Sequence, residues 1–281
     1  MKEKIKNFLE SKKKIPIMRI VNNDSILKGK VALITGGSGG IGYAIANEFI
    51  KSGCKVIITG TKEEKLQQLC SNLKNSEIKY ITLNLSEVGN FKNKVEEASK
   101  KFGKIDILVN SAGIHSLNPI QDFFNFTEEE YDDIMNINLK GMYFFTREVS
   151  KYMIKNKIKG HILNISSSTA LEPAWSPYRI SKWGVKGLTE GLADRLYEYG
   201  IIVNSIAPGS TATELLGYKN GDSISTNDNP AKRYIMPDEI AIYAKLMVSD
   251  LGNMIIGETL YITGGRGNIY KPTYMNPNKW N

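Results

Sequence analysis

Between residues 30 and 265 the sequence alternates short apolar runs, rich in β-branched residues, with stretches of helical periodicity. Strands that are apolar throughout and separated by helices predict a parallel sheet covered by helices on both faces. Because crossovers between parallel strands are right-handed, we expect a single-domain, doubly wound α/β fold with a mostly seven-stranded parallel sheet. The strands are predicted at Val31–Thr35, Lys55–Thr59, Lys79–Leu83, Ile105–Val109, His161–Ile165, Ile201–Ala207 and Thr259–Thr263.

Two long helices can be placed from the residues that begin them. The first follows Thr127, where Thr-x-x-Glu is typical of a capping box, and is predicted to run to about Lys155. The second follows Ser176 and Pro177, an N-cap and a first-turn proline, and is predicted to end at about Tyr199. Shorter helices are predicted at Ile41–Lys51, Glu63–Leu73 and Lys92–Lys101.

Two segments flank the predicted domain at 28–265: a basic N-terminal extension at 1–27 and a polar C-terminal tail at 266–281. The extension carries +4 of the net charge of +8 (seven Lys/Arg minus three Asp/Glu). Only six of the 37 basic residues are Arg, the side chain best suited to reading bases, so no nucleic-acid binding is expected. No apolar run approaches the roughly 20 residues that span a bilayer, and the N-terminus has no signal-peptide core. We therefore expect a cytoplasmic protein without membrane contact.

A glycine-rich turn, Gly-Gly-Ser-Gly-Gly-Ile-Gly at 36–42, links the first predicted strand to a helix. Glycine lets the backbone turn sharply and approach a pyrophosphate closely. The start of the helix offers free N–H groups and the positive end of its dipole. The flanking strand and helix favour a dinucleotide site over a flexible linker. With two His, two Cys and no cluster of them, no metal site is expected.

Tyr178 and Lys182 are four residues apart and share one face of the second long helix. With 14 Tyr and 31 Lys (37 − 6) in the chain, such a pair is expected by chance, so its weight depends on the other motifs. An ammonium beside a phenol favours the phenolate and is expected to lower the pKa of Tyr178 from about 10. A tyrosine tuned in this way can exchange a proton with a substrate oxygen.

The order of motifs over residues 28–265 resembles the short-chain dehydrogenase/reductase family, most of all its 3-oxoacyl-[acyl-carrier-protein] reductase-type members. The matching motifs are Thr35-Gly36-x-x-x-Gly40-Ile41-Gly42, Asn110-Ser111-Ala112-Gly113, Asn138, Asn164-Ile165-Ser166-Ser167, Tyr178-x-x-x-Lys182 and Pro208-Gly209. The resemblance implies a Rossmann fold and an NAD(P)-dependent enzyme that acts on CH–OH and C=O groups. It also implies a homo-oligomer, a tetramer or a dimer, joined through the two long helices.

The resemblance assigns roles to individual residues. Tyr178 is implied as the general acid/base and Ser167 as the hydrogen-bond donor to the substrate oxygen. Lys182 would also hold the nicotinamide ribose, and Asn138 would support a proton-relay water. The implied cofactor contacts are Gly36, Ser38, Gly40, Ile41, Gly42, Thr61, Lys62, Asn84, Leu85, Asn110, Ala112, Gly113, Tyr178, Lys182, Pro208, Gly209, Thr211 and Thr213.

The loop before Tyr178 is short, because Ser167 precedes Tyr178 by 11 residues (178 − 167), fewer than is usual in the family. The shortening leaves Ser166, Ser167 and Ser168 as alternatives for the functional hydroxyl. Ser167 is preferred because it directly follows the predicted strand in the family's register.

The residues after the second strand bear on the choice of cofactor. A carboxylate there would bond the ribose 2′-hydroxyl of NAD, whereas a basic residue would accommodate the 2′-phosphate of NADP. This chain has Thr61 and Lys62, with no carboxylate before Glu63, so NADP(H) is predicted over NAD(H). Gly39 stands where the family often has a basic residue, its other common NADP signal.

The segment from Pro208 to Pro237 is predicted to form a lid over the site. The predicted pocket walls are Ile114, His115, Leu171 and Trp175. They do not distinguish a sugar, a simple secondary alcohol and a 3-oxoacyl group on acyl carrier protein as the small-molecule substrate. The leading hypothesis is an NADP(H)-dependent oxidoreductase that interconverts a carbonyl and a secondary alcohol. The alternative is a non-catalytic nucleotide-binding protein of the same fold with a regulatory or scaffolding role.

Overall fold

The computed structural model describes residues 25–72, 77–116 and 123–267. Its centre is a seven-stranded, wholly parallel sheet with the order β3-β2-β1-β4-β5-β6-β7, which confirms the predicted fold class. The sheet grows outward in both directions from the adjacent strands β1 and β4. The strands are β1 Val31–Thr35, β2 Lys55–Gly60, β3 Ile78–Thr82, β4 Ile107–Asn110, β5 His161–Ile165, β6 Ile202–Pro208 and β7 Thr259–Ile262.

Helices cover both faces of the sheet, and each face has its own apolar core. Alternation along β1 supplies both cores: Ile34 packs in one cluster with Phe49, and Leu33 packs in the other with Phe145. Burial on both faces explains why the strands are apolar throughout. The α-helices are α1 Gly40–Lys51, α2 Glu63–Asn72, α3 Phe91–Phe102, α4 Glu128–Met135, α5 Met142–Lys155, α6 Pro177–Leu196 and α7 Pro237–Met247.

The first long helix, predicted as one α-helix from Thr127 to about Lys155, is interrupted. It begins as predicted: the Thr127 hydroxyl accepts the Glu130 N–H at 3.1 Å, and the Glu130 carboxylate accepts the Thr127 N–H at 3.2 Å. Residues Asn136–Gly141 then form a π-helical segment between α4 and α5. Side-chain periodicity does not reveal where the backbone hydrogen bonds change from the α-helical to the π-helical pattern. The sequence therefore could not predict the π-helical segment.

The second long helix begins and ends close to the prediction. The Ser176 hydroxyl accepts the Arg179 N–H, and Pro177 stands in the first turn. The α-helix ends at Leu196, a 3₁₀ turn follows, and Gly200 closes it with a left-handed φ of 75°. The bounds of β1 and β5 are those predicted, and the bounds of the other strands differ from the prediction by one or two residues; β4, for example, begins at Ile107 instead of Ile105.

The described residues at both ends of the chain pack onto this domain. Leu27 is fully buried, and its N–H donates to the Ser52 carbonyl at 3.0 Å. Most of the predicted N-terminal extension and C-terminal tail, at 1–24 and 268–281, lies outside the described residues. Within the described ranges no helix has the length and apolar character needed to cross a membrane.

Candidate active site

The carboxyl ends of β1, β4, β5 and β6 open into one cleft at the point where the strand order reverses between β1 and β4. Open parallel sheets bind ligands at this position. The cleft brings together parts of the glycine turn, the segment after β4, the end of β5, the start of α6 and the segment after β6. Its lining includes Ile41, Gly113, Ser167, Tyr178, Lys182, Pro208, Gly209, Thr211 and Thr213.

The glycine turn packs against the segment that follows β4. Gly36 has a left-handed φ of 64°, and a Cβ there would lie 2.6 Å from the Ala112 Cα, so the position requires glycine. The Thr35 hydroxyl accepts the N–H groups of Ser111 and Ala112 at 3.2 and 3.3 Å. The start of the glycine turn and the segment that follows β4 therefore hold each other in place.

Helix α1 begins at this turn with Gly39 as its N-cap. Among the described residues no side chain caps it, and its first turn has no Asp or Glu. The glycine turn therefore forms a cradle beside the cleft, the glycine cradle. No acidic side chain among the described residues neutralises the first-turn N–H groups of α1 that lie there. This arrangement fits the pyrophosphate of a dinucleotide.

Tyr178 and Lys182 lie one turn apart on α6, with the Lys182 Nζ 5.6 Å from the centre of the Tyr178 ring. The Lys182 Nζ donates to the Ile165 carbonyl at 3.0 Å, and burial lowers the pKa of Lys182 to about 8. The expected lowering of the Tyr178 pKa is wrong for this structure. Burial raises the pKa of Tyr178, because it disfavours the phenolate, and a hydrogen bond with Ser167 offsets only part of that rise.

The three consecutive serines after β5 have different surroundings. The Ser166 hydroxyl is buried and donates to the Lys182 carbonyl at 3.0 Å. The Ser167 hydroxyl accepts the Thr169 N–H at 3.2 Å, and Ser167 lowers the pKa of Tyr178 against the larger effect of burial. Ser168 begins the 3₁₀ turn Ser168–Leu171 in the short loop before α6. Of the three serines, Ser167 is the one that acts on the pKa of Tyr178.

Asn138 lies in the π-helical segment and is fixed by its neighbours. Its side chain accepts the Ile114 N–H at 2.8 Å, donates to the Ile114 carbonyl at 2.9 Å and donates to the Ser181 hydroxyl at 3.3 Å. Ser181 in turn donates to the Tyr178 carbonyl at 2.7 Å. A Cβ on Gly113 would lie 3.3 Å from the Asn138 Oδ1 and 3.6 Å from the Lys182 Nζ, so glycine leaves space between these two side chains.

Several predicted cofactor residues have side chains outside the cleft. The Asn110 side-chain amide is buried and donates to the Thr146 hydroxyl at 2.8 Å and to the Asn164 side-chain Oδ1 at 2.9 Å. The Asn84 side chain accepts the Ser86 N–H at 3.1 Å and shapes its own turn, and Leu85 is a core residue. The side chains of Asn110 and Leu85 are buried, so these two residues present mainly their backbones to a cofactor.

Other predicted cofactor residues lie on the adenosine side of the cleft. Thr61 and Lys62 are exposed immediately after β2. Ser38 lies beside the end of the same strand, since a Cβ on Gly60 would approach its Oγ to 2.8 Å. Gly40 lies under Thr213, whose methyl group would be 2.6 Å from a Cβ there.

Some of the predicted lid and wall residues line the cleft. Leu215 and Leu216, in the 3₁₀ turn Glu214–Leu216, line it. The rings of His115 and Tyr178 pack with their centres 4.6 Å apart, and Trp175 also lines the cleft. The other two predicted wall residues, Ile114 and Leu171, are not among the described lining residues.

The sequence prediction missed three charged residues at the cleft. Arg179 and Arg266 line it, and both form ion pairs with Glu172. No local pattern could have indicated this group, because Glu172 and Arg266 are separated by 94 residues. Within the described parts of the chain, no three His, Cys, Asp or Glu residues are grouped to hold a metal ion.

Known proteins share this sequence and architecture. Residues 30–223 match the short chain dehydrogenase family. The 3-oxoacyl-[acyl-carrier-protein] reductase FabG of Rickettsia conorii is 38% identical over 244 residues, which cover 85% of this chain and 97% of the relative. The 3alpha-hydroxysteroid dehydrogenase of Mediterraneibacter gnavus is 32% identical over 247 residues, covering 85% of this chain and 97% of the relative.

A solved structure supports the same relationship. The 3-ketoacyl-(acyl-carrier-protein) reductase from Brucella melitensis, complexed with NADH, superimposes with a TM-score of 0.78 at 33% identity. The match covers 86% of this chain and 100% of that one. The chain therefore belongs to the short-chain dehydrogenase/reductase family and is an NAD(P)-dependent oxidoreductase of CH–OH and C=O groups, similar to 3-oxoacyl-[acyl-carrier-protein] reductases.

Proposed function

We propose that this enzyme interconverts a carbonyl and a secondary alcohol with NADP(H), using Tyr178 as its general acid/base. The observation that supports this most strongly is the position of Tyr178 one turn from Lys182 on α6, with the Lys182 Nζ 5.6 Å from the Tyr178 ring centre and Ser167 lining the same cleft. These side chains meet in the cleft beside the glycine cradle. A non-catalytic nucleotide-binding protein would not require this arrangement.

The proposed chemistry divides between cofactor and protein. The cleft residues would hold a nicotinamide cofactor, which when bound would supply hydride chemistry at the carbonyl carbon. In the reductive direction Tyr178 donates its hydroxyl proton to the carbonyl oxygen, and the Ser167 hydroxyl donates a hydrogen bond to the same oxygen. Because burial raises the pKa of Tyr178, the residue stays protonated and able to donate at neutral pH.

Lys182 and Asn138 act around Tyr178 in this proposal. The Lys182 ammonium stabilises the phenolate that remains after proton donation and contacts the nicotinamide ribose. With a pKa lowered to about 8 by burial, Lys182 can exchange protons near neutral pH. Asn138 supports a water that returns a proton from solvent, and its hydrogen bonds to Ile114 and Ser181 keep it in position.

The test of this mechanism is Tyr178→Phe, with Tyr199→Phe as the matched control on an exposed turn of the same helical region. Loss of a general acid is expected to reduce turnover by about 10²- to 10⁴-fold, while the cofactor dissociation constant is unchanged. The control should retain full activity. Unchanged turnover in Tyr178→Phe would contradict the mechanism, whereas absence of turnover in the wild type with every carbonyl substrate would favour the non-catalytic alternative.

The preference for NADP(H) rests on the end of β2. Thr61 and Lys62 are exposed there and can receive a 2′-phosphate, and Ser38 lies beside the same strand end. A fluorescence titration should show tighter binding of NADPH than of NADH, and Lys62→Gln should narrow the difference. Equal or tighter NADH binding by the wild-type enzyme would overturn the preference.

Similarity to the FabG reductases supports a 3-oxoacyl group carried on acyl carrier protein as the first substrate to test. The steroid dehydrogenase among the relatives shows that about one-third identity does not settle the substrate. A panel of carbonyl compounds, monitored by NADPH consumption, should therefore include an acyl-carrier thioester, a 3-oxosteroid and several keto-sugars.

Assembly as a homotetramer is part of the proposal. Tyr143 on α5 and the pair Ile180 and Trp183 on α6 expose large apolar side chains on the two long helices. Exposed apolar surface of this kind is typical of subunit interfaces. Size-exclusion chromatography with light scattering should give the mass of four chains, or of two if one interface forms alone. A monomer would contradict this proposal.

A further inference from the structure

The charged residues that line the described part of the cleft are all cationic. They are Arg179, Lys182 and Arg266, and no Asp or Glu is among the described lining residues. Lys182 has a place in the proposed reaction beside Tyr178. The two arginines have none, so their presence in the cleft requires a separate explanation.

The two arginines share one largely buried carboxylate. The Arg266 Nε donates to Glu172 Oε1 at 2.7 Å and its Nη2 to Oε2 at 3.3 Å, while the Arg179 Nη1 donates to Oε2 at 2.7 Å. One carboxylate thus faces two guanidinium groups. A second carboxylate, Asp228, is exposed and accepts a hydrogen bond from Ser210 at 3.1 Å. Its charge also acts on Arg266, but less than that of Glu172.

Donors in this group remain available to a ligand. The Arg266 Nη1 has only a long contact, 3.4 Å, to the Ser210 hydroxyl, and Ser210 also lines the cleft. The Thr169 hydroxyl, another lining group, is buried without a hydrogen-bond partner among the described residues. The Arg179 guanidinium is oriented by the Trp175 ring, 5.4 Å from its centre. The arginine corner of the cleft consists of Arg179, Arg266, Ser210 and Thr169.

We propose that the arginine corner binds an anionic group of the substrate, a carboxylate or a phosphate, at a distance from the reacting carbonyl. This inference rests on the proposed function and narrows its substrate class. Guanidinium groups recognise the planar oxygens of such anions through paired hydrogen bonds. The apolar part of the substrate would then contact Leu215 and Leu216 of the lid.

Two sources can supply the anion, and paired substrates distinguish them. Acetoacetate and its methyl ester differ in a carboxylate charge. The acetoacetyl thioesters of pantetheine and 4′-phosphopantetheine differ in a phosphate. For one of these pairs, the wild-type enzyme is expected to prefer the charged member by about tenfold or more in kcat/KM.

Variants of Arg266 test which residue causes the preference. Arg266→Gln should erase it by raising the KM of the charged substrate, and Arg266→Lys should restore part of it. The neutral partner should be unaffected in both variants. Arg195→Gln is the matched control, because Arg195 is exposed on α6 and is not among the described lining residues of the cleft. This substitution is expected to leave kcat and KM unchanged for every substrate.

Glu172→Gln distinguishes anion binding by the arginines from a purely structural role in holding the loop before α6. If the arginines bind an anion, removal of the competing carboxylate leaves the KM of the charged substrate the same or lower. If Arg266 only tethers the loop, Arg266→Gln and Glu172→Gln should raise the KM of charged and neutral substrates alike. That result would overturn the inference. Turnover without any preference for charge would also overturn it. No turnover of any substrate would instead overturn the proposed function, and this inference with it.

Discussion

Acid sensitivity should arise from His161, the first residue of β5, the strand that leads to Ser166 and Ser167. Only 6% of its surface is exposed, and its Nδ1 has no hydrogen-bond partner among the described residues. Burial, and then the nearby Lys30 charge, lower the pKa of His161 from 6.5 to about 4, against smaller opposing effects of Asp250 and Asn253. The folded protein therefore keeps this imidazole neutral at pH values where the unfolded chain protonates it.

The sign and size of the effect follow from linkage. Because the folded-state pKa is the lower one, the stability is present above pH 6.5 and is lost as the pH falls towards about 4. At about 1.4 kcal/mol for each pH unit between the two pKa values, the full loss is about 3 kcal/mol. Between pH 7.5 and pH 5 the loss from this residue is about 2 kcal/mol.

Urea denaturation at fixed protein concentration measures this contribution. His161→Gln has no titrating group, so its unfolding free energy should fall by about 2 kcal/mol less than that of the wild type between pH 7.5 and pH 5. Comparing each protein with itself at pH 7.5 removes any constant cost of the substitution. Equal losses in the two proteins would refute the argument that a buried neutral imidazole limits acid stability.

Three further predictions concern the site. Gly36→Ala forces an L-residue into a left-handed φ and places a Cβ against the Ala112 backbone, so NADPH should bind at least about tenfold more weakly in a fluorescence titration. Gly39→Ala, with a φ of −91° and one Cβ contact of 3.3 Å, is the control and should bind almost normally. Because burial raises the pKa of Tyr178, alcohol oxidation should accelerate with rising pH over a range where carbonyl reduction does not; parallel profiles would contradict this. Ser167→Ala should lower turnover by about tenfold or more while Ser168→Ala has little effect; the reverse result would reassign the hydroxyl.

Much of the fold could be predicted because it depends on local and periodic features of the chain. Apolar runs such as Val31–Thr35 must be buried on both faces, and a parallel sheet between helix layers is the arrangement that does so. The Thr127 capping box and Ser176-Pro177 mark helix starts through contacts within four residues. Part of the candidate site could be predicted because the glycine turn, Ser167 and Pro208-Gly209 follow strand ends, which a parallel sheet brings to one edge.

The features that the prediction missed depend on contacts between distant parts of the chain. The direction of the Asn110 side chain depends on partners at Thr146 and Asn164, and the raised pKa of Tyr178 depends on burial, not on its spacing from Lys182. The ion pair of Glu172 with Arg266 depends on the pairing of β7 with β6, which brings residue 266 to the loop before α6. Residue order and periodicity therefore specify the sheet and its helices, whereas side-chain direction, desolvation and long-range charge pairing exist only in the packed molecule.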